Sequence, residues 1–207
     1  MKTAIFDYSG VINDNHETTY YTVTKIFAHF GAPSISYEEF RKNWIQPFML
    51  FYNRYLPKVT FEEEVEVYKK VYQEVLAEHP VTLYNGMDNF LKKLHDRGLN
   101  LMIVSSDAED FLKQELRAFG LNPLFKEIIC GVHDKTDSLQ ALVTNNKLDP
   151  RQTIFIGDTV HEVEAGKAAR VLTGAVTWGI DTPDKLIAAK PDYLINNLDE
   201  LEKIFSE

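Results

Sequence analysis

The stretch FDYSGVIND holds a carboxylate, Asp7, at the end of a short apolar run (Ala4, Ile5, Phe6), with a hydroxyl, Ser9, two residues on and then Gly10. Other apolar runs finish in a similar way. Ser105 and Ser106 close NLMIVSS, Asp158 and then Glu162 follow TIFIG, and Lys135 lies in the loop GVHDKTD after EIIC. Three carboxylates, a pair of hydroxyls and one lysine converge on one crevice if these runs are strands of one sheet. Crowded carboxylates repel, so at neutral pH they need a cation or a shared proton. Oxygen ligands on a small open site suit Mg²⁺, which takes one or two carboxylates, keeps waters and bridges to a phosphate. Each residue alone has a plainer reading: an Asp after a strand is usually a turn former or helix cap, Ser105 can cap the next helix, and a loop lysine is usually solvated. At successive strand ends, together, they point to a site.

The elements that must position them are legible as a pattern. Nearly continuous apolar runs recur at Thr3 to Asp7, Asn100 to Ser106, Lys126 to Gly131, Thr153 to Asp158, Gly174 to Gly179 and Asp192 to Ile195. Strands covered on both faces read this way. Between them lie segments of helical period, such as FLKKLHDRG with Phe90, Leu91 and Leu94, and DFLKQELRAFG with Phe111, Leu112, Leu116 and Phe119. Strand alternating with helix predicts an α/β fold, a doubly wound parallel sheet whose ligands sit beyond the carboxyl ends of the strands. From Asn15 to Leu83 the alternation stops and the text is helical. Tyr20, Val23, Phe27 and Phe30 form a stripe ending at Gly31; Ser36 is placed to cap a helix through Phe40 and Trp44; Thr60 and Glu63 read as a capping box. Pro47 is expected to kink or end the second of these helices. The predicted organisation is a core of residues 1–14 and 84–207 with an inserted helical domain of residues 15–83, joined near Asn13 to Asn15 and Val81 to Tyr84.

A chain of 207 residues suffices for that plan, and its 44% hydrophobic content is that of a folded protein. The net charge of −9 disfavours a nucleic acid or an anionic membrane as partner. A small phosphate ester is not excluded, since a metal and a few cations meet its charge locally. Cys130 is the single cysteine, so no intrachain disulfide or thiolate cluster forms, and its apolar neighbours predict a buried thiol. With no signal-like or membrane-length apolar stretch, a cytoplasmic protein is expected, as a monomer or homodimer.

On FDYSGVIND, IVSS, the Lys135 loop, FIGDTVHEVEAGKAA and the closing PDYLINNLDEL, the chain resembles the haloacid dehalogenase superfamily. The resemblance is to its branch with a helical cap after the first strand, which includes phosphoglycolate phosphatases and β-phosphoglucomutases. It implies a HAD-like Rossmannoid core and a Mg²⁺-dependent hydrolase acting on a small phosphorylated metabolite. Asp7 would be the nucleophile forming an aspartyl phosphate, and Mg²⁺ would be held by Asp7, the backbone carbonyl of Ser9 and Asp158, with Glu162 assisting through water or by orienting the loop. Ser105 and Lys135 would address the phosphoryl group along with Gly10 and Ser106. Arg41 and Lys42 of the insertion would face the substrate. The lysine motif departs from the family, whose usual Lys-Pro pair is here Lys135 followed by Thr136.

The larger departure is Ser9. In phosphatases of this family the matching residue is a second aspartate that protonates the leaving alcohol and later activates water. A serine does not ionise near neutral pH, and such assistance is worth about 10²- to 10⁴-fold in rate. Slow turnover, or a restriction to good leaving groups, is therefore expected. His16 and His161 are candidates for the missing proton transfer. Two alternatives compete: phosphonoacetaldehyde hydrolase-like cleavage using Lys25 or Lys42 as a Schiff base, and a catalytically degenerate phosphometabolite-binding protein.

Overall fold

The computed structural model describes residues 1–206. In chain order the elements are β1 (Thr3–Phe6), β2 (Asn13–Asp14), α1 (His16–Phe30), α2 (Tyr37–Asn43), α3 (Met49–Tyr55), α4 (Phe61–Glu78), β3 (Thr82–Leu83), α5 (Met87–Asp96), β4 (Asn100–Val104), α6 (Glu109–Ala118), β5 (Glu127–Ile129), α7 (Lys135–Asn145), β6 (Thr153–Gly157), α8 (Val160–Ala168), β7 (Leu172–Val176), α9 (Pro183–Ala189), β8 (Tyr193–Ile195) and α10 (Leu198–Ile204). The chain divides into two compact units, Met1–Asp14 with Leu83–Glu207, and Asn15–Thr82.

In the first unit six strands pair in the order β5-β4-β1-β6-β7-β8, and every pairing is parallel. The sheet is covered on both sides, which explains the unbroken apolar text of its strands. Ala4, Phe6, Leu101, Ile103, Ile154 and Ile156 pack with residues of α5, α6 and α10. The alternate residues Ile5, Met102, Val104 and Phe155 pack with Leu139, Leu142 and Ala165 of α7 and α8. Each of these Leu, Ile, Val, Phe and Met side chains taken from water contributes about 1.5–3 kcal/mol, so the central strands β1, β4 and β6 are the most firmly held backbone. Their carboxyl ends carry the chemistry.

Some boundaries differ from the sequence reading. The β7 strand starts at Leu172, not Gly174, because Thr173 is a buried strand residue whose backbone N–H and hydroxyl both meet the Asp192 carboxylate at 2.8 Å. Its polar character had hidden it. At the other end the apolar text runs on to Gly179, but the strand stops at Val176. The α7 helix begins at Lys135 itself, with the Asp134 carboxylate accepting from the Thr136 N–H at 2.9 Å. A capped helix start thus takes the place of the expected loop.

The second unit is helical. The Ser36 hydroxyl accepts from the Glu39 N–H to cap α2, and Thr60 with Glu63 forms the capping box of α4. The α2 helix ends at Asn43, before Pro47, and a separate helix, α3, follows. The buried stripe of α1 is Thr18, Thr22, Val23, Ile26 and Phe27, with Tyr20 and Phe30 at its half-buried margins. Trp44 is core, with its ring 5.2 Å from those of Phe40 and Phe51. The strands β2 and β3, at the two crossings between the units, pair as a separate two-stranded sheet.

Candidate active site

Asp7 is the first residue past β1, and its backbone N–H still bonds the Ile156 carbonyl at 2.8 Å, so the sheet fixes its position. One carboxylate oxygen accepts from the Tyr8 N–H at 2.7 Å; the other lies 2.8 Å from Lys135 Nζ. Lys135 Nζ also meets Glu162 Oε1 at 2.7 Å, and this lysine is fully buried. The second oxygen of Glu162 accepts from the N–H and hydroxyl of Thr159, closing the capping box of α8. Asp158 is the first residue past β6, and its Oδ2 accepts from the Ile180 N–H at 2.7 Å.

Two glycines make room for Asp158. A Cβ on Gly10 would come within 2.3 Å of its Oδ2, and Gly10 already sits at φ +75, a backbone state that disfavours other residues. A Cβ on Gly179 would fall 2.1 Å from that of Asp158, so the TWG end of the apolar run after β7 is a close-packed turn.

The carboxylates of Asp7, Asp158 and Glu162 offer one oxygen each within 4.8 Å of one another, and all three residues are buried. At an effective dielectric constant of about 20, like charges no more than 4.8 Å apart repel by at least about 3.5 kcal/mol a pair, and each lysine contact attracts by about 6 kcal/mol. Lys135 therefore works against the mutual repulsion but leaves the desolvation of the acids uncovered. The titration directions follow. Burial, reinforced by Glu162 and Asp107 and opposed by Lys135, pushes Asp7 up to about 7. Burial and the two neighbouring acids hold Asp158 well above the carboxylate range. Burial acts upward most strongly on Glu162 too, but the Lys135 ammonium and the Thr159 hydroxyl together outweigh it and hold Glu162 low. For Lys135, burial is outweighed by Asp7 and Glu162, which keep it charged. The donor set fits a hard divalent cation: oxygen only, in excess of the available positive charge. Glu162 Oε2 already accepts two hydrogen bonds, whereas each Asp7 oxygen and Asp158 Oδ2 accepts one and keeps a lone pair to give.

The other expected residues are placed as follows. Ser105 is buried at the end of β4, with its N–H on the Ile129 carbonyl at 2.9 Å. The Ser106 hydroxyl oxygen is buried without a hydrogen-bond partner among the described residues. Arg41 and Lys42 stand in the last turn of α2 in the other unit, half-buried and exposed respectively. Lys25 pairs with Glu74 at 3.3 Å within that unit. His16 begins α1 there, 3.3 Å from the Tyr37 hydroxyl. His161 is buried, and its Nε2 lies 3.3 Å from the Lys135 backbone N–H, which occupies the lone pair that a proton carrier would use.

One functional candidate escaped the sequence reading. The Asp107 Oδ2 accepts from the Ser9 hydroxyl and from the Ser105 hydroxyl, both at 2.7 Å, and the Asp107 N–H donates back to Ser105 Oγ at 3.2 Å. The text SSD at the end of β4 carried that signal, but an acid just before a helix looks like part of its lead-in. Behind the same loop, Glu115 of α6 accepts from the Tyr8 hydroxyl at 3.0 Å and from the Asn13 side chain at 3.2 Å, bracing the turn that carries Ser9 and Gly10.

The sequence profile of the family described as haloacid dehalogenase-like hydrolase matches residues 4–176. The chain is 26% identical to a protein of Bacillus pumilus named pyrophosphatase PpaX, over 97% of this chain and 94% of that one. It is 25% identical to a phosphoglycolate phosphatase of Synechococcus elongatus, over 97% and 95%. Among solved structures, a haloacid dehalogenase-like hydrolase from Streptococcus pneumoniae superposes with a TM-score of 0.86 at 22% identity, covering 99% of this chain and 98% of that one. A structure from Clostridium acetobutylicum described as a predicted phosphatase gives 0.82 at 24% identity, covering 100% and 99%. These structural likenesses establish the fold.

Proposed function

Because the chain belongs to the haloacid dehalogenase-like hydrolase family, we propose that it is a Mg²⁺-dependent phosphatase-type hydrolase of a small phosphorylated metabolite, working through an aspartyl phosphate on Asp7. The observation that carries this reading is the Asp7 carboxylate, fixed at a strand end, 2.8 Å from a buried lysine and within 4.8 Å of Asp158. The names of the relatives, pyrophosphatase and phosphoglycolate phosphatase, accord with it.

In this reading Asp7 Oδ attacks phosphorus in line with the departing oxygen. Lys135 neutralises charge on Asp7 and on the transferring group, and Glu162 holds Lys135 in place while capping α8. The Ser106 hydroxyl stands at the next strand end for the phosphoryl oxygens, and Ser105 beside it donates to Asp107 and holds that loop. Asp7 and Asp158 would hold the cation, which when bound screens the acids and stabilises charge on the phosphoryl oxygens. Preorganised charge of this kind is what phosphoryl transfer chiefly needs. With Mg²⁺ the protein is expected to release phosphate from an activated aryl phosphate, and Asp7→Asn to abolish release. Turnover that survives this substitution would remove Asp7 from the mechanism.

A further inference from the structure

We propose that Asp107 is a positioning residue that fixes Ser9 as a hydrogen-bond acceptor at the reacting centre, confining the site to phosphoanhydrides, acyl phosphates and similar donors whose leaving group departs as a stable anion. The inference rests on the phosphatase reading above and deepens it. A serine hydroxyl has one hydrogen and two lone pairs. At Ser9 the hydrogen is directed to Asp107 Oδ2 at 2.7 Å, and at Ser105 the hydrogen goes to the same oxygen at the same distance. A single carboxylate oxygen thereby sets both rotors. Asp107 is near enough to Asp7 to contribute to the upward push on its titration. With its hydrogen committed to Asp107, the Ser9 hydroxyl acts toward other groups as an acceptor only. It can accept from a water; it is not set to donate to a leaving alkoxide.

That asymmetry divides the two half-reactions. In the first, the bond from Asp7 Oδ to phosphorus forms as the bond from phosphorus to the leaving oxygen breaks, and the bonding pair departs on that oxygen. No proton is supplied, so an alkoxide leaves poorly, whereas a phosphate or a carboxylate leaves readily. In the second, a water oxygen bonds to phosphorus while the bond to Asp7 breaks, with its electron pair returning to the carboxylate. Both water hydrogens stay on the product as dihydrogen phosphate. An acceptor that only orients the water therefore suffices, and Ser9 held by Asp107 is one.

The test uses the full-length protein with Mg²⁺. Asp107→Ala frees the Ser9 hydrogen and is expected to slow hydrolysis of the aspartyl phosphate: kcat and KM fall together by about tenfold or more, kcat/KM for an aryl phosphate stays within about threefold, and acid-quenched protein carries more trapped phosphate. Asp107→Asn keeps an accepting oxygen and should restore most of the lost turnover. Along a series from acetyl phosphate and pyrophosphate through aryl phosphates to an alkyl phosphate, wild-type kcat/KM should fall by about a hundredfold or more. Equal losses in kcat and kcat/KM for the alanine variant, an asparagine variant as impaired as alanine, or an alkyl phosphate cleaved as fast as an aryl one would each overturn the proposal. Asp7→Asn separates the two levels. If it abolishes turnover while the Asp107 variants match wild type, only this inference fails; if turnover survives it, the phosphatase reading fails as well.

Discussion

At the scale of single residues, the proposed mechanism turns on Ser9, the position at which the family resemblance leads one to expect a second acid. Restoring it should help most where the leaving group is poorest. Ser9→Asp is expected to raise kcat/KM on an alkyl phosphate by about tenfold or more. Asp107 complicates that gain, because its Oδ2 lies 2.7 Å from the Ser9 oxygen and a new carboxylate there would face it directly. The double variant Ser9→Asp, Asp107→Asn should therefore exceed the single one on the same ester, by steady-state assay. If neither variant improves, the serine is not what limits the reaction. Asp7, Ser105, Lys135, Asp158 and Glu162 were legible because each ends an apolar run or opens the helix after one. Asp107 was not, because its meaning lies in a hydrogen bond to a residue 98 positions away in the chain.

Elements show which signals are local. The caps at Ser36 and Thr60 use side chains three residues from their partners, and both were readable from spacing. The start of β7 and the helical onset at Lys135 depend on Asp192 and Asp134, whose roles emerge only on folding. Cys130 illustrates the same limit: its apolar neighbours suggested a buried thiol, yet it is only half-buried, and that burial still pushes its titration up to about 11. In α4, Glu64 is an acid on the buried face. Burial pushes it from 4.5 up to about 7, although a hydrogen bond with Tyr52 holds it back. Between those two values the folded chain keeps a proton that the unfolded chain has lost, so stability falls as pH rises through the window. Glu64→Gln retains an acceptor for Tyr52 and removes this penalty. It should raise the thermal midpoint at about pH 8, by up to about 3 kcal/mol in stability, and change little at about pH 4. Melting curves at both values check it, and an equal shift at each would show that ionisation is not the cause.

For the whole molecule, six parallel strands with both faces covered give a rigid frame, and three buried acids at its rim are a built-in strain on it. A cation bound by the folded state alone should relieve that strain and stabilise by mass action, about 2.7 kcal/mol at a hundredfold excess over its dissociation constant. Mg²⁺ is thus expected to raise the melting temperature. Asp158→Asn should erase most of that rise while leaving the chelated protein as stable as wild type or more so, because a neutral amide keeps the acceptor for the Ile180 N–H without the cost of burying an acid beside two others. A variant that still responds fully to Mg²⁺ would exclude Asp158 as a ligand. No helix among the described residues is long and apolar enough to cross a membrane.

The short ribbon of β2 and β3 has its own consequence. Paired strands run about 5 Å apart, so the chain leaves the sheet-bearing unit at Asp14 and rejoins it at Leu83 almost side by side. Residues 15–82 are in effect a graft on a single stalk: excising them and sealing the stump with a tight turn, or splicing a different helical module onto it, would demand no rethreading of the six strands.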